Sequence, residues 1–198
     1  MTRDSRGSLW ISPWNGLGLI RCAEGKITVF TPEDGMVSEN CRTIYECEDG
    51  SILAVTRGGL SVIRDDRVAA SYGLEEGLTV PELLTATEGF SGEYIIGSDG
   101  GGIFIVSPDG VTQIGTEDGL SSGVVMRLRR SREGDLIWIV TGNSLAYMTP
   151  DHRVTTIREF PYANNFDLYE NSRGEMWVLS SDGIYVAPVE QLIALRRD

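Results

Sequence analysis

The chain has 198 residues and a hydrophobic fraction of 41%, which suffices for the packed core of an ordinary domain and excludes wholesale disorder. Its 29 acidic and 17 basic residues leave a formal net charge of −12, which disfavours binding to nucleic acid or direct contact with an anionic membrane surface. The longest apolar run, 136–140, is far shorter than the roughly 20 residues of a membrane span, and the polar opening MTRDSRGS predicts no signal peptide.

The predicted elements repeat along the chain. Glycine is abundant, with 24 residues, and five times a glycine precedes a short apolar strand. These segments read GSLWIS, GSILAVT, GEYIIGS, GDLIWIVT and GEMWVLS, and they start at Gly7, Gly50, Gly92, Gly134 and Gly174. Such internal similarity indicates a repeat protein. Its units lie near 4–46, 47–88, 89–130, 131–170 and 171–198.

Each unit contains further landmarks in the same order. A second strand aligns Leu17, Leu60, Ile103, Leu145 and Ile184. A third strand aligns Ile27, Val68, Val111 and Val154. An acidic turn follows at 33–36, 75–78 and 117–120. A fourth strand is centred near Ile44, Ala86, Leu128 and Leu168, and the only helical pattern lies at 189–195.

Four short strands in about 42 residues form a meander that is too small to bury both of its faces alone. Stacked radially, such meanders form the blades of a β-propeller. We therefore predict an all-β propeller with about five blades of four-stranded antiparallel sheet. One column of first-strand residues is predicted to pack between neighbouring blades, namely Trp10, Leu53, Ile95, Trp138 and Trp177.

These repeats resemble those of the two-component regulator propeller family of bacterial sensor proteins. The family repeats read approximately as DGxLWIGT, then GGL, then a Phe-containing strand leading to an acidic-Gly-Leu turn. This chain has DGSILAVT with GGLSV, and the turns FTPEDGM, YGLEEGL and IGTEDGL. The resemblance covers essentially the whole chain, although the fourth unit has FPYANNF at 160–166 in place of the acidic turn.

The resemblance implies a sensing role and a location outside the cytoplasm. Propellers of this family stand on the periplasmic or cell-surface side of a membrane protein, ahead of a cytoplasmic histidine kinase or diguanylate cyclase. The chain would then be a ligand-sensing domain that relays recognition of a carbohydrate or small molecule, and it would not be an enzyme.

The resemblance also implies how the chain ends are arranged. In this family the Gly-led strand is the second of its blade, which predicts 18 strands in this chain. The first blade then lacks its inner strand, and the last lacks its outer strand. We therefore expect an incomplete arc of a larger propeller, with self-association or a homodimer through open blade edges.

No pattern for catalysis, a metal or a cofactor is found, and we expect none of these. Cys22, Cys41 and Cys47 lack CxxC spacing, so they are predicted to be free and largely buried. The only histidine, His152, lies in a turn, which favours a solvated role. Lys26 is the only lysine and begins a strand, so it cannot complete a phosphate-binding loop.

Two turn sequences have simple structural interpretations. SDGGG at 98–102 is interpreted as a hairpin turn rather than a phosphate loop. The acidic turns at Asp34, Glu76 and Asp118 lack the dense alternating carboxylates of a calcium loop, so they are predicted to cap turns.

The candidate ligand site lies where loops converge on one side of the propeller. When strands are counted within a blade, so that the Gly-led strand is the second, the turns between second and third strands emerge on the same side as the loops between fourth and first strands. Both surround the central channel on that side. An exposed tryptophan beside Asn, Asp and Arg side chains can stack on a sugar and form hydrogen bonds with it. The predicted site residues are Trp14, Asn15, Arg57, Asp99, Asn143, Tyr162, Asn164, Asn165 and Asp182.

Two other functions stay open from the sequence. A propeller can be a protein-interaction scaffold without a small ligand. A propeller lyase similar to streptogramin lyase is the weaker alternative, because such enzymes depend on histidine and this chain has one histidine in a turn.

Overall fold

In the computed structural model, the chain folds into five antiparallel sheets that follow one another in sequence. The structure describes residues 1–13, 16–157 and 164–195. In every sheet the strands pair with their chain neighbours, so each sheet is a meander and forms one blade. The predicted all-β propeller is confirmed.

The strand bounds define the blades. The first blade contains β1 to β4, at Thr2–Arg3, Leu9–Ile11, Leu19–Ala23 and Lys26–Phe30. The second contains β5 to β8, at Cys41–Glu46, Ile52–Thr56, Gly59–Arg64 and Arg67–Tyr72. The third contains β9 to β12, at Leu83–Glu88, Tyr94–Ser98, Ile103–Ser107 and Gly110–Ile114. The fourth contains β13 to β16, at Val125–Arg130, Ile137–Thr141, Leu145–Met148 and Val154–Ile157. The fifth contains β17 to β19, at Asn165–Glu170, Glu175–Ser180 and Gly183–Pro188, and helix α1 follows at Val189–Ala194.

The first strand of each blade is the inner one. Strand β5 packs against β9, β9 against β13, and β13 against β17, which brings these strands together around a central channel. The second strands β6 and β14 are buried at every residue because neighbouring blades cover both of their faces. The outer strand β12 is mostly exposed, with Gly110, Thr112 and Gln113 open to solvent.

Antiparallel strands divide the loops between two sides of the propeller. We call one side the mouth face, where second-to-third turns and fourth-to-first loops emerge. Its described residues are 12–13, 16–18, 31–40, 57–58, 73–82, 99–102, 115–124, 142–144, 164 and 181–182. We call the opposite side, with the first-to-second and third-to-fourth turns, the base.

The prediction that the first blade lacks its inner strand is wrong. Thr2 and Arg3 form β1, which pairs with β2 and completes a four-stranded sheet. The described residues therefore form 19 strands rather than 18. A two-residue strand leaves no periodicity in the sequence, so only its pairing reveals it. Within the described residues the last blade has three strands, as predicted.

The placement of Leu17 in the second strand of its repeat unit, which is the third strand of the blade, is also wrong. Leu17 is 56% exposed, whereas Leu19 is fully buried and begins β3. The mouth-face turn of the first blade is longer than its counterparts, so the strand begins two residues later than the spacing predicts. Both leucines are apolar, and the pattern alone could not choose between them.

The core consists of four apolar clusters, one between each pair of neighbouring blades. The predicted column Trp10, Leu53, Ile95 and Trp138 is at most 3% exposed and packs in these clusters, as predicted. The prediction is wrong for Trp177, which is 42% exposed on the face of the last blade that points away from the fourth blade. Its position in the repeat is the same as that of Trp138, but no described blade covers it.

Carboxylates join neighbouring blades at the base. The carboxylate at the end of an inner strand accepts a backbone N–H from the preceding blade. Glu46 accepts the N–H of Ser5, Glu88 accepts that of Glu48, and Glu170 accepts that of Arg132. These bonds are 2.7 to 3.1 Å long. They link the ends of the inner strands, so they set the spacing of the blades around the channel.

The predicted helix is present as α1, over Val189–Ala194. Leu192 is 1% exposed and packs in the cluster between the fourth and fifth blades, together with Trp138. The helix thereby contributes to the core beside the three-stranded last blade.

Candidate functional site

The predicted site residues that the structure describes lie on the mouth face or at its border. Arg57, Asp99, Asn143 and Asp182 belong to second-to-third turns, and Asn164 precedes β17. Asn165 is the first residue of β17 and is 1% exposed, so it supports the loop and presents no surface to solvent. Trp14, Asn15 and Tyr162 lie outside the described residues.

A β-bulge follows the first residue of each inner strand in blades two to five. Pairing moves from Cys41 directly to Thr43 in β5, and the same shift occurs in β9, β13 and β17. The extra residues are Arg42, Leu84, Met126 and Phe166. A bulge redirects a side chain from its ladder position, and here it does so at the channel mouth.

Two arginines share one carboxylate at the mouth of the second and third blades. Nε of Arg57 lies 2.9 Å from Oε1 of Glu82, and a terminal nitrogen of Arg42 lies 3.4 Å from Oε2. Arg42 is the bulge residue of the second blade, and Glu82 is the residue before β9. The three charges sum to +1, although the chain as a whole carries −12.

The backbone around these side chains is held by hydrogen bonds. The N–H of Arg57 donates to the Asn40 carbonyl at 3.0 Å within the second blade. The N–H of Gly58 donates to the Pro81 carbonyl at 2.7 Å and joins the second blade to the third. The N–H of Asp99 donates to the Glu82 carbonyl at 2.8 Å. The structure therefore brings Arg57 and Asp99 together through Glu82.

A cavity of about 270 Å³ opens beside the two arginines. The described residues that line it are Pro13, Asn40, Cys41, Arg42 and Arg57. Burial raises the pKa of the Cys41 thiol to about 12, so this side chain is neutral near pH 7 and does not offset the arginine charges. The lining combines two cations, an amide and an apolar wall.

The other predicted residues make contacts within their own blades. Asn143 accepts a hydrogen bond from the Ser121 hydroxyl at 2.8 Å and is part of a network with Thr141. Asn164 and Asp182 meet through Ser181, whose N–H donates to the Asn164 carbonyl at 3.1 Å and whose hydroxyl lies 3.3 Å from Asp182. These contacts do not connect the fourth and fifth blades to the cavity.

Sequence reasoning missed Asn40, Arg42 and Glu82. A signal was present, because alignment of the repeats puts Arg42 in register with Leu84, Met126 and Phe166. A charged residue in an otherwise apolar column departs from the repeat. The alignment could have marked Arg42 as unusual, but its ion pair with Glu82 depends on how two blades pack.

The capping role predicted for the acidic turns is confirmed. Asp34, Glu76 and Asp118 each accept the backbone N–H of the residue that opens the turn, from Thr31 at 2.9 Å, Gly73 at 2.7 Å and Gly115 at 2.8 Å. The carboxylates are thus engaged in local structure. Within the described ranges, no group of three or more His, Cys, Asp or Glu side chains is placed to hold a metal ion.

The other structural interpretations are also confirmed. Residues 98–102 form a hairpin turn, in which the Ser98 hydroxyl donates to the Gly102 carbonyl at 2.9 Å. The three cysteines are free, with Cys41 and Cys47 buried and Cys22 half-buried.

His152 lies at the base, away from the candidate site. Its Nε2 is 3.0 Å from Oε1 of Glu93, a carboxylate that is 6% exposed. Glu93 also accepts the backbone N–H groups of Phe90 and Ser91, at 2.9 and 2.8 Å. The histidine is therefore partly buried and paired rather than fully solvated.

This pairing compensates for a change in the repeat. In the fourth blade Arg130 stands at the position of Glu88, the carboxylate that accepts a backbone N–H of the preceding blade. Arg130 cannot accept the corresponding N–H, that of Phe90, and it donates instead to Glu48 at 2.9 Å. Glu93 supplies the missing acceptor from within the third blade.

Comparison with solved structures agrees with this architecture. The extracellular domain of the hybrid two-component system BT3049 from B. thetaiotaomicron superposes with a TM-score of 0.79 at 22% identity, covering 96% of this chain and 27% of that domain. The extracellular domain of the one-component system BT4673 from the same organism gives 0.73 at 18% identity, covering 96% of this chain and 29% of that domain. Virginiamycin B lyase from Staphylococcus aureus gives 0.72 at 15% identity, covering 94% of this chain and 68% of the lyase.

These likenesses support the propeller fold, and the two sensor domains fit the resemblance of the repeats to two-component regulator propellers. The chain spans less than a third of the length of either sensor domain. No family model and no curated protein matches the chain. In the part of the chain that the structure describes, no helix has the length and apolar character to cross a membrane.

Proposed function

We propose that this chain is a sensing propeller of a membrane-bound bacterial signalling protein, located outside the cytoplasm. It would bind a carbohydrate or another small polar ligand at the mouth face and relay binding to a cytoplasmic histidine kinase or diguanylate cyclase. The likeness to extracellular domains of B. thetaiotaomicron sensor systems supports the class of protein and its location.

The observation that carries this proposal is the cavity at the channel mouth. Polar side chains of the second blade, Asn40, Arg42 and Arg57, converge there beside Pro13 of the first blade. Backbone hydrogen bonds between the second and third blades hold their loops in place. A concave site with a few positioned polar groups is the usual form of a small-ligand site.

The placement of His152 favours a binding function over a lyase. A histidine that acts as general acid or base must reach the substrate directly or through one water. His152 is bonded to Glu93 at the base, on the side opposite the cavity. This arrangement supports the proposal that the chain is not an enzyme, although the lyase has a related fold.

The proposal is tested by ligand binding to the whole chain. The probes are glucose, galactose, arabinose, N-acetylglucosamine, glucuronic acid and galacturonic acid, measured by calorimetry and by the change in melting temperature. We expect at least one of them to bind, and Arg57→Ala or Asn40→Ala to weaken that binding about tenfold, because each removes a hydrogen bond at the cavity.

Arg153→Ala is the matched control. Arg153 is an exposed arginine at the base that lies 3.9 Å from Asp151, so this variant also removes an arginine paired with a carboxylate. It is expected to bind the probe normally. Binding of none of the probes, or equal binding by the mouth variants and the wild type, would contradict a sensing site on this face. Binding of a protein partner alone would favour the scaffold function.

A further inference from the structure

We infer that the mouth cavity selects a ligand that carries a carboxylate, specifically a hexuronate. This inference rests on the proposed function and names the class of ligand for the same site. Its basis is the arrangement of Arg42, Arg57 and Glu82, in which the two arginines occur together in the second blade alone among those described.

The charge that faces the cavity is positive. Of the five described residues that line it, Arg42 and Arg57 are charged and none is a carboxylate. Glu82 contacts both arginines but is not part of the lining, so one negative charge partly neutralises two positive ones. Among the described residues that line the cavity, an entering anion therefore meets positive charge alone.

Arg57 retains most of its hydrogen-bonding capacity for a ligand. Its Nε faces Glu82, while the side chain is 68% exposed. Within the described residues, its two terminal nitrogens make no hydrogen bond. A guanidinium presents its N–H groups in a planar fork that matches both oxygens of a carboxylate.

The arginine pair is not a requirement of the fold. The residues that follow the second strand in later blades are Asp99, Gly142 and Ser181, in place of Arg57. The later bulge residues are Leu84, Met126 and Phe166, in place of Arg42. If either arginine were needed to build a blade, it would recur with the repeat. The pair occurs together in the second blade alone among those described.

The size and remaining lining of the cavity suit one sugar ring. A volume of about 270 Å³ is near the lower end for ligand pockets. The Asn40 amide can both donate to and accept from a ring hydroxyl, and Pro13 offers an apolar surface to the ring. A hexuronate combines these hydroxyls with the carboxylate that the arginines require.

The test compares D-glucuronate with D-glucose, which differ by a carboxylate in place of a hydroxymethyl group. Affinities are measured by calorimetry on the whole chain at low and moderate salt. We expect the wild type to bind glucuronate at least about tenfold more tightly than glucose. This preference should decrease as salt is added, because salt screens exposed charges.

Two variants should shift the preference in opposite directions. Arg57→Gln keeps a polar side chain but removes the charge, and it should abolish the preference. Glu82→Gln removes the carboxylate that competes for the arginines, and it should tighten glucuronate binding about threefold while leaving glucose unchanged. A merely structural role of the ion pair would not produce this gain. Arg153→Gln at the base is the control and should leave both affinities unchanged.

Equal affinities for the two sugars, or weaker glucuronate binding by Glu82→Gln, would overturn the inference. If a neutral probe binds at the mouth without a preference for the acid, the inference fails while the proposed function stands. If no probe binds at all, both fail.

Discussion

At the scale of single residues, Glu93 is the carboxylate whose environment the fold alters most clearly. Burial tends to raise its pKa, but hydrogen bonds from His152 and from the N–H groups of Phe90 and Ser91 outweigh burial. The result is a pKa of about 2, well below the ordinary value of 4.5. The folded state therefore prefers the ionised carboxylate.

This preference has a defined pH dependence. Because the folded-state pKa is the lower one, the stabilisation by Glu93 is fully present above about pH 4.5 and is lost as the pH falls through about 2. We expect Glu93→Gln to lower the free energy of unfolding by about 1 to 3 kcal/mol at pH 7. The difference from the wild type should shrink steadily between pH 4.5 and 2.

Urea unfolding at several pH values measures this difference. Glu75→Gln is the control, since Glu75 is an exposed carboxylate of the 73–78 turn and should show almost no effect at any pH. A Glu93→Gln defect that is the same at pH 7 and pH 2.5 would show that the charge of Glu93 is not the cause.

At the scale of elements, the hairpin turn at 98–102 shows how closely strands approach at the mouth face. A Cβ added at Gly102 would lie 2.2 Å from the Ile114 carbonyl oxygen, whereas one added at Gly100 would meet no atom within 4 Å. Both glycines have positive φ, at +75° and +104°. The two positions therefore share backbone strain and differ in the close approach of β12.

We expect Gly102→Ala to destabilise the protein by clearly more than Gly100→Ala. Strain from positive φ alone costs about 1 kcal/mol, and the clash with a backbone atom adds about 1 to 3 kcal/mol more, because the strand must shift. Melting temperatures of the two variants test this, with Gly100→Ala as the matched control. Equal losses would mean that β12 relaxes without cost.

At the scale of the whole molecule, the first and last blades each have one sheet face that no described blade covers. These two faces expose apolar side chains. On the last blade these are Tyr169, Trp177, Leu179, Ile184 and Val186, which are 42 to 63% exposed. On the first blade Ile27 and Val29 are 68 and 43% exposed. By register, Trp177 matches Trp138, which the following blade covers. Each face is therefore half of the interface found between neighbouring blades.

We expect a second copy of the chain to cover these faces head to tail, with the last blade of one copy against the first blade of the other. The two half-interfaces are of the complementary kinds that pack four times within the chain. Such heterologous contacts form closed rings or longer assemblies. The assembly should grow with concentration.

Light scattering after size exclusion measures this association. Ile184→Asp places a charge in the centre of the last-blade face and should shift the chain to the monomer. Leu74→Asp is the control, because Leu74 is equally exposed, at 61%, but lies in a mouth-face loop. A wild-type monomer at high concentration, or the same shift in both variants, would contradict association through the blade faces.

The repeat made most of the fold predictable. Glycine-led strands at regular spacing, the buried column from Trp10 to Trp138 and the capping role of Asp34 depend on short-range pattern and turn chemistry, which are written in consecutive residues. The strand β1 and the start of β3 at Leu19 were missed, because a two-residue strand and a choice between neighbouring leucines leave no such pattern.

The sequence by itself determined the fold class and the face that carries the candidate site, because strand alternation dictates where each loop emerges. The tertiary structure alone decided which loop residues meet. Arg42, Arg57 and Glu82 come from two blades and meet through a bulge and a hydrogen bond between blades, and His152 meets Glu93 across another blade boundary. Contacts between blades depend on how sheets stack in space, and residue spacing along one chain does not encode that distance.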